Sequence, residues 1–255
     1  MLRALVSSLR RRLLWVAALL LVGSAYVHAG TFTAFGPKNY VRGTGSPITV
    51  TDTFSVLNPN TQYTLKAFNG GLQNTQTELV SSSIVTINGV QVLGPSNFNQ
   101  NVTEVDVPVT LQNSNTISVQ VRGQPGGTLA IQIVGIDNDP PTIKATIDPP
   151  PNAAGWNNGN PKNPTITFTC TDATSGVAIC PQPQTLTADG ANQIVSGTAT
   201  DNAGNTASTS ITVNLDKTPP TLQALASPPP NAAGWNKAPV TVKFTCGDAT
   251  SGIAT

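Results

Sequence analysis

The second half of the chain contains two copies of one sequence unit, and this repetition limits the fold more than any other feature. Residues 149–157 read Pro-Pro-Pro-Asn-Ala-Ala-Gly-Trp-Asn and recur without change at 228–236. Residues 168–178 recur at 244–254 with two differences. Two segments that agree this closely, and that are separated by about the length of a small domain, predict a tandem array of compact modules.

The second copy is shorter than the first. Cys246 corresponds to Cys170, and the counterpart of Cys180 would be the residue after Thr255. We therefore interpret the sequence as the N-terminal piece of a longer array, in which the odd cysteine has lost its partner. The alternative is a natural end with a free thiol, which would leave a half-module with a bare apolar face.

Strand-length segments between turns predict an all-β fold. Charged residues make up 10% of the chain, well below the usual quarter, while Thr and Val favour strands and Asn, Gly and Pro favour turns. In the first copy, residues 165–169 and 208–213 alternate with period two, and 193–199 do so more loosely. Residues 201–205 have the composition of a hairpin loop. This pattern predicts a small β-sandwich.

Residues 30–137 form a different unit with no helical period. Asn88-Gly89 lies between two apolar segments and is a strong hairpin signal. We predict a separate β-sandwich of seven or eight strands, with a jelly roll among the candidate topologies. The segments predicted as strands are 48–56, 63–68, 83–93, 102–111, 116–121 and 128–136.

The first 29 residues have the pattern of a secretory signal peptide. Basic residues end at Arg12, an apolar stretch covers 13–23, and 27–29 fit part of the small-x-small cleavage pattern. We predict a secreted or cell-surface protein, with an uncleaved N-terminal anchor as the alternative. The apolar stretch is too short to span a bilayer comfortably, and no later segment is apolar enough, so no membrane span is expected after signal removal.

Removal of this leader changes the charge balance and the catalytic possibilities. It leaves 9 basic and 12 acidic residues, and a weakly acidic chain without basic clusters is a poor nucleic-acid binder. It also removes His28, the single histidine. The mature chain can therefore have neither a nucleophilic site with a histidine base nor a zinc site with histidine ligands. A carboxylate pair is the remaining route to catalysis, but Glu78 and Glu104 are the only glutamates. We predict a protein that is not an enzyme.

Cys170 and Cys180 are predicted to form a disulfide. Export to an oxidising compartment, a separation of ten residues and a turn-rich intervening loop all favour the bond. The alternative is a metal site, although two thiols without further ligands are a poor zinc site.

Trp156 and Trp235 each follow the sequence Asn-Ala-Ala-Gly. Two interpretations fit. Each indole either covers one end of a module core, where it would bury a large apolar surface, or forms a stacking platform for a sugar ring.

Acidic residues near the junctions between units are candidate calcium ligands. Calcium needs several oxygen ligands, which carboxylates and Asn carbonyls supply. The alternative is that these residues only build Asx turns and hairpins. The paired prolines at 140–141 and 219–220 stiffen the junctions in either case, because their φ angles are fixed. The candidate ligands are Asp137, Asp139, Asp172 and Asp201.

Two further segments carry a family resemblance. Residues 216–221 (Asp-Lys-Thr-Pro-Pro-Thr) lie at a boundary, and 197–206 (Gly-Thr-Ala-Thr-Asp-Asn-Ala-Gly-Asn-Thr) lie near the end of a unit. Together they resemble the bacterial Ig-like and hyalin-repeat group of extracellular modules, over about 140–255. The resemblance implies tandem Ig-like sandwiches that act as stalks, spacers or adhesive units. The local spacing of Cys170 and Cys180 differs from the antibody pattern, which bridges two sheets.

Two functions are therefore expected. The first is a secreted or surface-displayed modular protein whose repeats space or present something, with a ligand-binding role for its N-terminal sandwich and extracellular carbohydrate or surface proteins as partners. The alternative is the N-terminal accessory, carbohydrate-binding part of a secreted hydrolase. No cofactor is expected apart from calcium. The predicted boundaries are 1–29 for the signal peptide, 30–137 for the N-terminal sandwich, 138–216 for the first repeat and 217–255 for the second.

Overall fold

A computed structural model describes residues 30–72 and 78–254. The predicted signal peptide, 1–29, lies outside the described residues. Within them, the regular structure is seventeen strands and one 3₁₀ turn at Pro95–Asn97, which confirms the predicted all-β class. No described helix has the length and apolar character needed to cross a bilayer.

The N-terminal unit is a sandwich of two four-stranded antiparallel sheets. One sheet has the order β1-β8-β3-β6 and the other β2-β7-β4-β5. Their inner faces share one core, which includes Leu65, Val85, Ile117 and Ile133, each with at most 3% exposure. The strands are β1 (Gly30–Val41), β2 (Thr49–Ser55), β3 (Tyr63–Asn69), β4 (Ser82–Ile87), β5 (Val90–Leu93), β6 (Glu104–Val109), β7 (Ser114–Arg122) and β8 (Thr128–Asp137).

Strand β1 was not among the predicted segments. It pairs with β8 along its length, but its register shifts on either side of Phe35. Gly36 has a φ of +75° and precedes Pro37, and proline within a strand is a signal against pairing. An edge position accommodates these residues because one side of β1 makes no ladder.

The first repeat is a smaller sandwich. Sheet β13-β11-β9 faces sheet β10-β15-β14-β12, and the core between them consists of Ile166, Phe168, Val195 and Val213. The predicted segments 165–169, 193–199 and 208–213 lie in β11, β14 and β15. The strands are β9 (Thr142–Asp148), β10 (Trp156–Asn157), β11 (Thr165–Thr171), β12 (Val177–Ile179), β13 (Gln184–Thr185), β14 (Gly190–Asp201) and β15 (Thr206–Leu215).

The second repeat contains an antiparallel strand pair, β16 (Thr221–Ser227) and β17 (Thr241–Gly247). This pair has the same register as β9 and β11 in the first repeat. Ala145 pairs with Phe168 in the first copy, and Ala224 pairs with Phe244 in the second. The repeated sequence therefore builds the same local sheet twice.

Candidate functional site at the module junctions

The first junction centres on Asp137, the last residue of β8. Its side chain is buried, with 2% exposure of the residue. One carboxylate oxygen, Oδ2, accepts a hydrogen bond of 3.0 Å from the backbone N–H of Ser175, in the next module. The other, Oδ1, accepts the backbone N–H of Asp139 in the linker. A single carboxylate thus joins the N-terminal sandwich, the linker and the first repeat.

Asp172 shapes the loop that presents Ser175. Its Oδ1 accepts the backbone N–H groups of Thr174, Ser175 and Gly176 at 3.1, 2.9 and 2.8 Å. Gly176 has a φ of +82°, which suits glycine at the end of such a turn. This is the Asx-turn geometry expected for an Asp in a short polar loop.

The hairpin loop at 201–205 also reaches the linker. Asp201 Oδ1 accepts the backbone N–H groups of Ala203 and Asn205. Asn205 Nδ2 donates to the backbone carbonyl of Asp137 at 3.0 Å. On the other side, the start of β1 lies so close to this loop that a Cβ at Gly30 would come within 2.2 Å of the Ala203 carbonyl oxygen.

The N-terminal sandwich adds its own side-chain contact. Asn58 Nδ2 donates to Thr174 Oγ1 at 3.1 Å, and Tyr63 donates its hydroxyl to the Asn58 carbonyl at 2.7 Å. Burial raises the pKa of Tyr63, and the negative charge of Asp137 raises it further. Sequence analysis did not single out Asn58, because nothing local marks a contact between residues that are 116 positions apart.

Three of the four candidate calcium ligands come together. Carboxylate oxygens of Asp137, Asp172 and Asp201 lie within 4.8 Å of one another. Asp139 does not belong to this group and is exposed to solvent. The three carboxylates also accept backbone N–H groups, as the alternative interpretation expects. The calcium site therefore stays a prediction, now confined to three residues.

The second junction repeats the geometry of the first. Asp216 Oδ2 accepts the backbone N–H of Ser251 at 3.0 Å, and its Oδ1 accepts that of Thr218. Asp248 Oδ1 accepts the backbone N–H groups of Thr250, Ser251 and Gly252. Desolvation acts to raise the pKa of Asp248, but these hydrogen bonds outweigh it, so the pKa lies below its usual value.

A cleft lies at each junction. The first has a volume of about 600 Å³, and amide side chains line much of it, including Asn58 and Asn60. The second has a volume of about 560 Å³ and is lined in part by Asn158 and Asn160. In both Asn-x-Asn loops the first side chain accepts the backbone N–H of the third residue at 3.0 Å. Asn-x-Asn also occurs at 97–99, 99–101 and 113–115, and Asn99 makes the same contact with Asn101, so this pattern alone does not identify the junction loops.

The two tryptophans occupy identical turns. Asn152 Oδ1 accepts the Trp156 backbone N–H at 2.9 Å, and Asn231 does the same for Trp235 at 3.0 Å. Trp156 is half-buried in β10, whereas Trp235 is 74% exposed. The sugar-stacking role stays a prediction for both.

Cys170 and Cys180 form the predicted disulfide, with their Cα atoms 5.9 Å apart. The bond ties β11 to the segment after β12. Cys246, the counterpart of Cys170, is an exposed free thiol.

A charged hydrogen-bond group centred on Asp52 lies in the N-terminal sandwich, away from the junction. Asp52 accepts from Lys38 Nζ at 2.5 Å and from the Tyr40 hydroxyl at 2.7 Å. The hydrogen bond from Lys38 lowers the pKa of Asp52, and that from Tyr40 lowers it further. Burial raises the pKa of Tyr40, and the hydrogen bond to Asp52 adds to this rise.

Comparisons with known proteins identify no family for this chain. No protein-family model matches the sequence, and no curated protein matches it. Among solved structures, the chain is similar to the M60 catalytic domain with the CBM51-1 and CBM51-2 domains from Clostridium perfringens ZmpB, with a TM-score of 0.30 and 12% sequence identity. The match covers 80% of this chain and 24% of that one, so this chain spans about a quarter of that structure.

Proposed function

We propose that this chain is an exported, non-enzymatic modular protein whose β-sandwiches are held at fixed spacing and angle to present a terminal unit. The observation that carries the proposal is the contact made at both junctions, Asp137 with Ser175 and Asp216 with Ser251. A spacer must resist bending between modules, and a buried carboxylate that joins two modules through charge-assisted hydrogen bonds opposes bending.

The linkers support the same role. Pro140-Pro141 and Pro219-Pro220 follow the two junction carboxylates and fix two φ angles each. At the first junction, Asn205 and Asn58 add hydrogen bonds on either side of the linker. The disulfide within the first repeat supports an extracytoplasmic location, because such bonds persist in oxidising compartments.

A distance measurement across the second junction tests the proposal. Spin labels on Cys246 and on an introduced Ser196→Cys would report the distance between the two repeats. We expect a narrow distance distribution, and a broader one in Asp216→Ala. The matched control is Asp148→Ala, which removes an exposed carboxylate of the same repeat and should leave the distribution narrow. A broad distance distribution in the doubly labelled chain that keeps Asp216 would contradict a spacer function.

A second candidate is carbohydrate binding by the N-terminal part, as the accessory portion of a secreted hydrolase. The observation that favours it is the first junction cleft, whose lining includes the amides of Asn58, Asn60, Gln62 and Asn138. Amides both donate and accept hydrogen bonds, as sugar hydroxyls require. Binding of the intact chain on a glycan array, lost in Asn60→Ala and kept in Asn101→Ala on a distant loop, would favour this candidate. If the intact chain bound none of the glycans on the array, those glycans would be excluded as its ligands.

A further inference from the structure

The cleft at the first junction is built by both sandwiches and by the linker between them. Ile136, near the end of β8, forms part of its lining, and the 58–62 loop before β3 contributes polar residues. Asp139 comes from the linker, and Thr174 comes from the first repeat. The volume of about 600 Å³ lies within the range of small-molecule sites, so the cleft has room for a ligand.

Three side-chain amides in this cleft are free to bind a ligand. Asn58 is already used, since its Nδ2 donates to Thr174 and its Oδ1 accepts the backbone N–H of Asn60. Asn60, Gln62 and Asn138 are exposed, and their side chains make no hydrogen bond within the described part of the chain. Each of these amides offers two donors and an acceptor, which matches the hydroxyl groups of a sugar.

The lining also includes an apolar side chain, Ile136, which is half-buried. The backbone of Ile136 is held by the neighbouring loop. Its N–H donates to the Gln62 carbonyl at 3.1 Å, and its carbonyl accepts the Thr61 hydroxyl. Amides beside a small apolar surface suit a sugar ring, which has hydroxyl groups on its edge and C–H groups on its faces.

The charge of the cleft limits which sugars it can hold. Its lining contains Asp137 and Asp139 but no lysine or arginine. The Asp137 carboxylate is buried and accepts two backbone N–H groups. Asp139 is exposed, and its carboxylate makes no hydrogen bond or ion pair with the described residues. An anionic ligand would be repelled by this free carboxylate, whereas a cationic group would be attracted.

We propose that the first junction cleft binds amino sugars with a free ammonium group, of the 2-amino-2-deoxyhexose type. The ring hydroxyls bind to the amides of Asn60, Gln62 and Asn138, and the ammonium group pairs with the carboxylate of Asp139. Neutral sugars use the amides alone and bind more weakly, and sugar acids are repelled. The proposal rests on the second candidate function, carbohydrate binding, and specifies the class of sugar that the cleft selects.

The probes are three tetrasaccharides, made of glucosamine, of N-acetylglucosamine and of galacturonic acid. Isothermal titration calorimetry measures the binding of each to the intact chain, at a mildly acidic pH that protonates the amines. The dissociation constant for the glucosamine tetrasaccharide should be roughly two- to fivefold lower than that for the acetylated one, because an exposed ion pair adds modestly to affinity. Added salt should reduce this difference, and the galacturonic acid tetrasaccharide should bind most weakly.

Four variants separate this cleft from non-specific attraction. Asp139→Asn should bind the glucosamine and N-acetylglucosamine tetrasaccharides equally, because it keeps the size of the side chain and loses its charge. Asp106→Asn, which removes a surface carboxylate paired with Lys66, should keep the preference for glucosamine. Asn60→Ala should weaken the binding of both, and Asn101→Ala, on a different loop, should weaken neither. Because all four residues are exposed, the variants should melt at the same temperature as the intact chain.

The possible failures are distinguishable. Equal affinity for the three tetrasaccharides, or tighter binding of the acetylated one, would overturn the amino-sugar assignment and leave carbohydrate binding in place. A glucosamine preference that persists in Asp139→Asn would also overturn the assignment, because the attraction would then come from the acidic chain as a whole. If no tetrasaccharide bound, both the assignment and the carbohydrate-binding function of this cleft would be overturned.

Discussion

The carboxylate of Asp137 accepts the backbone N–H of Ser175 across the first junction, and Asp216 makes the same 3.0 Å contact with Ser251 across the second. The N-terminal sandwich and the first repeat differ in size and strand order, yet each ends on an aspartate that accepts from the same loop of the next module. The junction is therefore a reusable unit that does not depend on the sandwich before it.

The first prediction concerns the stability of this contact. Asp137→Ala removes the acceptor of the Asp139 backbone N–H and one of the two acceptors of the Ser175 backbone N–H, which keeps Asp172 Oδ1. A hydrogen bond to a charged group contributes about 1.5–3 kcal/mol, so we expect a loss of this size in the free energy of unfolding. Chemical denaturation followed by circular dichroism measures it.

The control for this variant is Asp139→Ala. Asp139 lies two residues further along the same linker, but its residue is exposed, so its replacement should cost little. A similar loss in both variants would mean that charge in the linker matters and the Asp137–Ser175 bond does not.

The second prediction concerns calcium. Three carboxylates within 4.8 Å repel one another, and a divalent cation would relieve that repulsion. With calcium at a hundred times its dissociation constant, linkage predicts about 2.7 kcal/mol of added stability. Differential scanning calorimetry should therefore show a higher melting temperature in calcium than in chelator.

Two variants make the calcium test specific. Asp172→Asn should reduce the response, because it removes charge from the group of three. Asp139→Asn should leave the response intact, because Asp139 lies outside that group. If the intact chain melts at the same temperature in calcium and in chelator, the Asx-turn interpretation alone accounts for these residues.

Much of the fold could be predicted because alternation and turn chemistry are local. Asn88 and Gly89 have φ angles of +51° and +82° and connect β4 to β5, as the predicted hairpin requires. Strand β1 could not be predicted in the same way. Its Gly36-Pro37 step argues against a strand locally, and only its pairing with β8 reveals it.

The candidate site was predictable in part for a related reason. Asp137 and Asp172 stood out because they lie in turn sequences at a repeat boundary. Asn58 and Ser175 could not be assigned, because their contacts join residues of different modules. Asp139 was grouped with the others on sequence proximity, but β8 ends at Asp137, and Asp139 in the linker is exposed and lies outside the group of three.

The third prediction concerns the disulfide. Replacing Cys170 with Ala, together with Cys180→Ala, frees a loop of ten residues in the unfolded chain. The chain-entropy relation gives a loss of roughly 2–3 kcal/mol in stability. Urea unfolding measures it, with Cys246→Ala as the control, because Cys246 forms no disulfide. An unchanged midpoint in the double variant would contradict this entropic contribution.

The fourth prediction concerns acid. Because the folded-state pKa of Asp52 is lowered, folding favours its ionised form. The stability that ionised Asp52 contributes is therefore fully present above its unfolded-state pKa, near 3.8. This stability is lost as the pH falls through the lower pKa of the folded state. Because Asp52 is charged and partly exposed, its hydrogen bonds should contribute about 1 kcal/mol to the free energy of unfolding.

Denaturation at pH 2–5 measures this contribution. The intact chain should lose more stability on acidification than Asp52→Asn, which has no charge to titrate. Asp106→Asn is the matched control, since it removes a surface carboxylate paired with Lys66 and leaves Lys38 and Tyr40 in place. If the Asp52→Asn curve fell in parallel with that of the intact chain, the acid sensitivity would belong to other carboxylates.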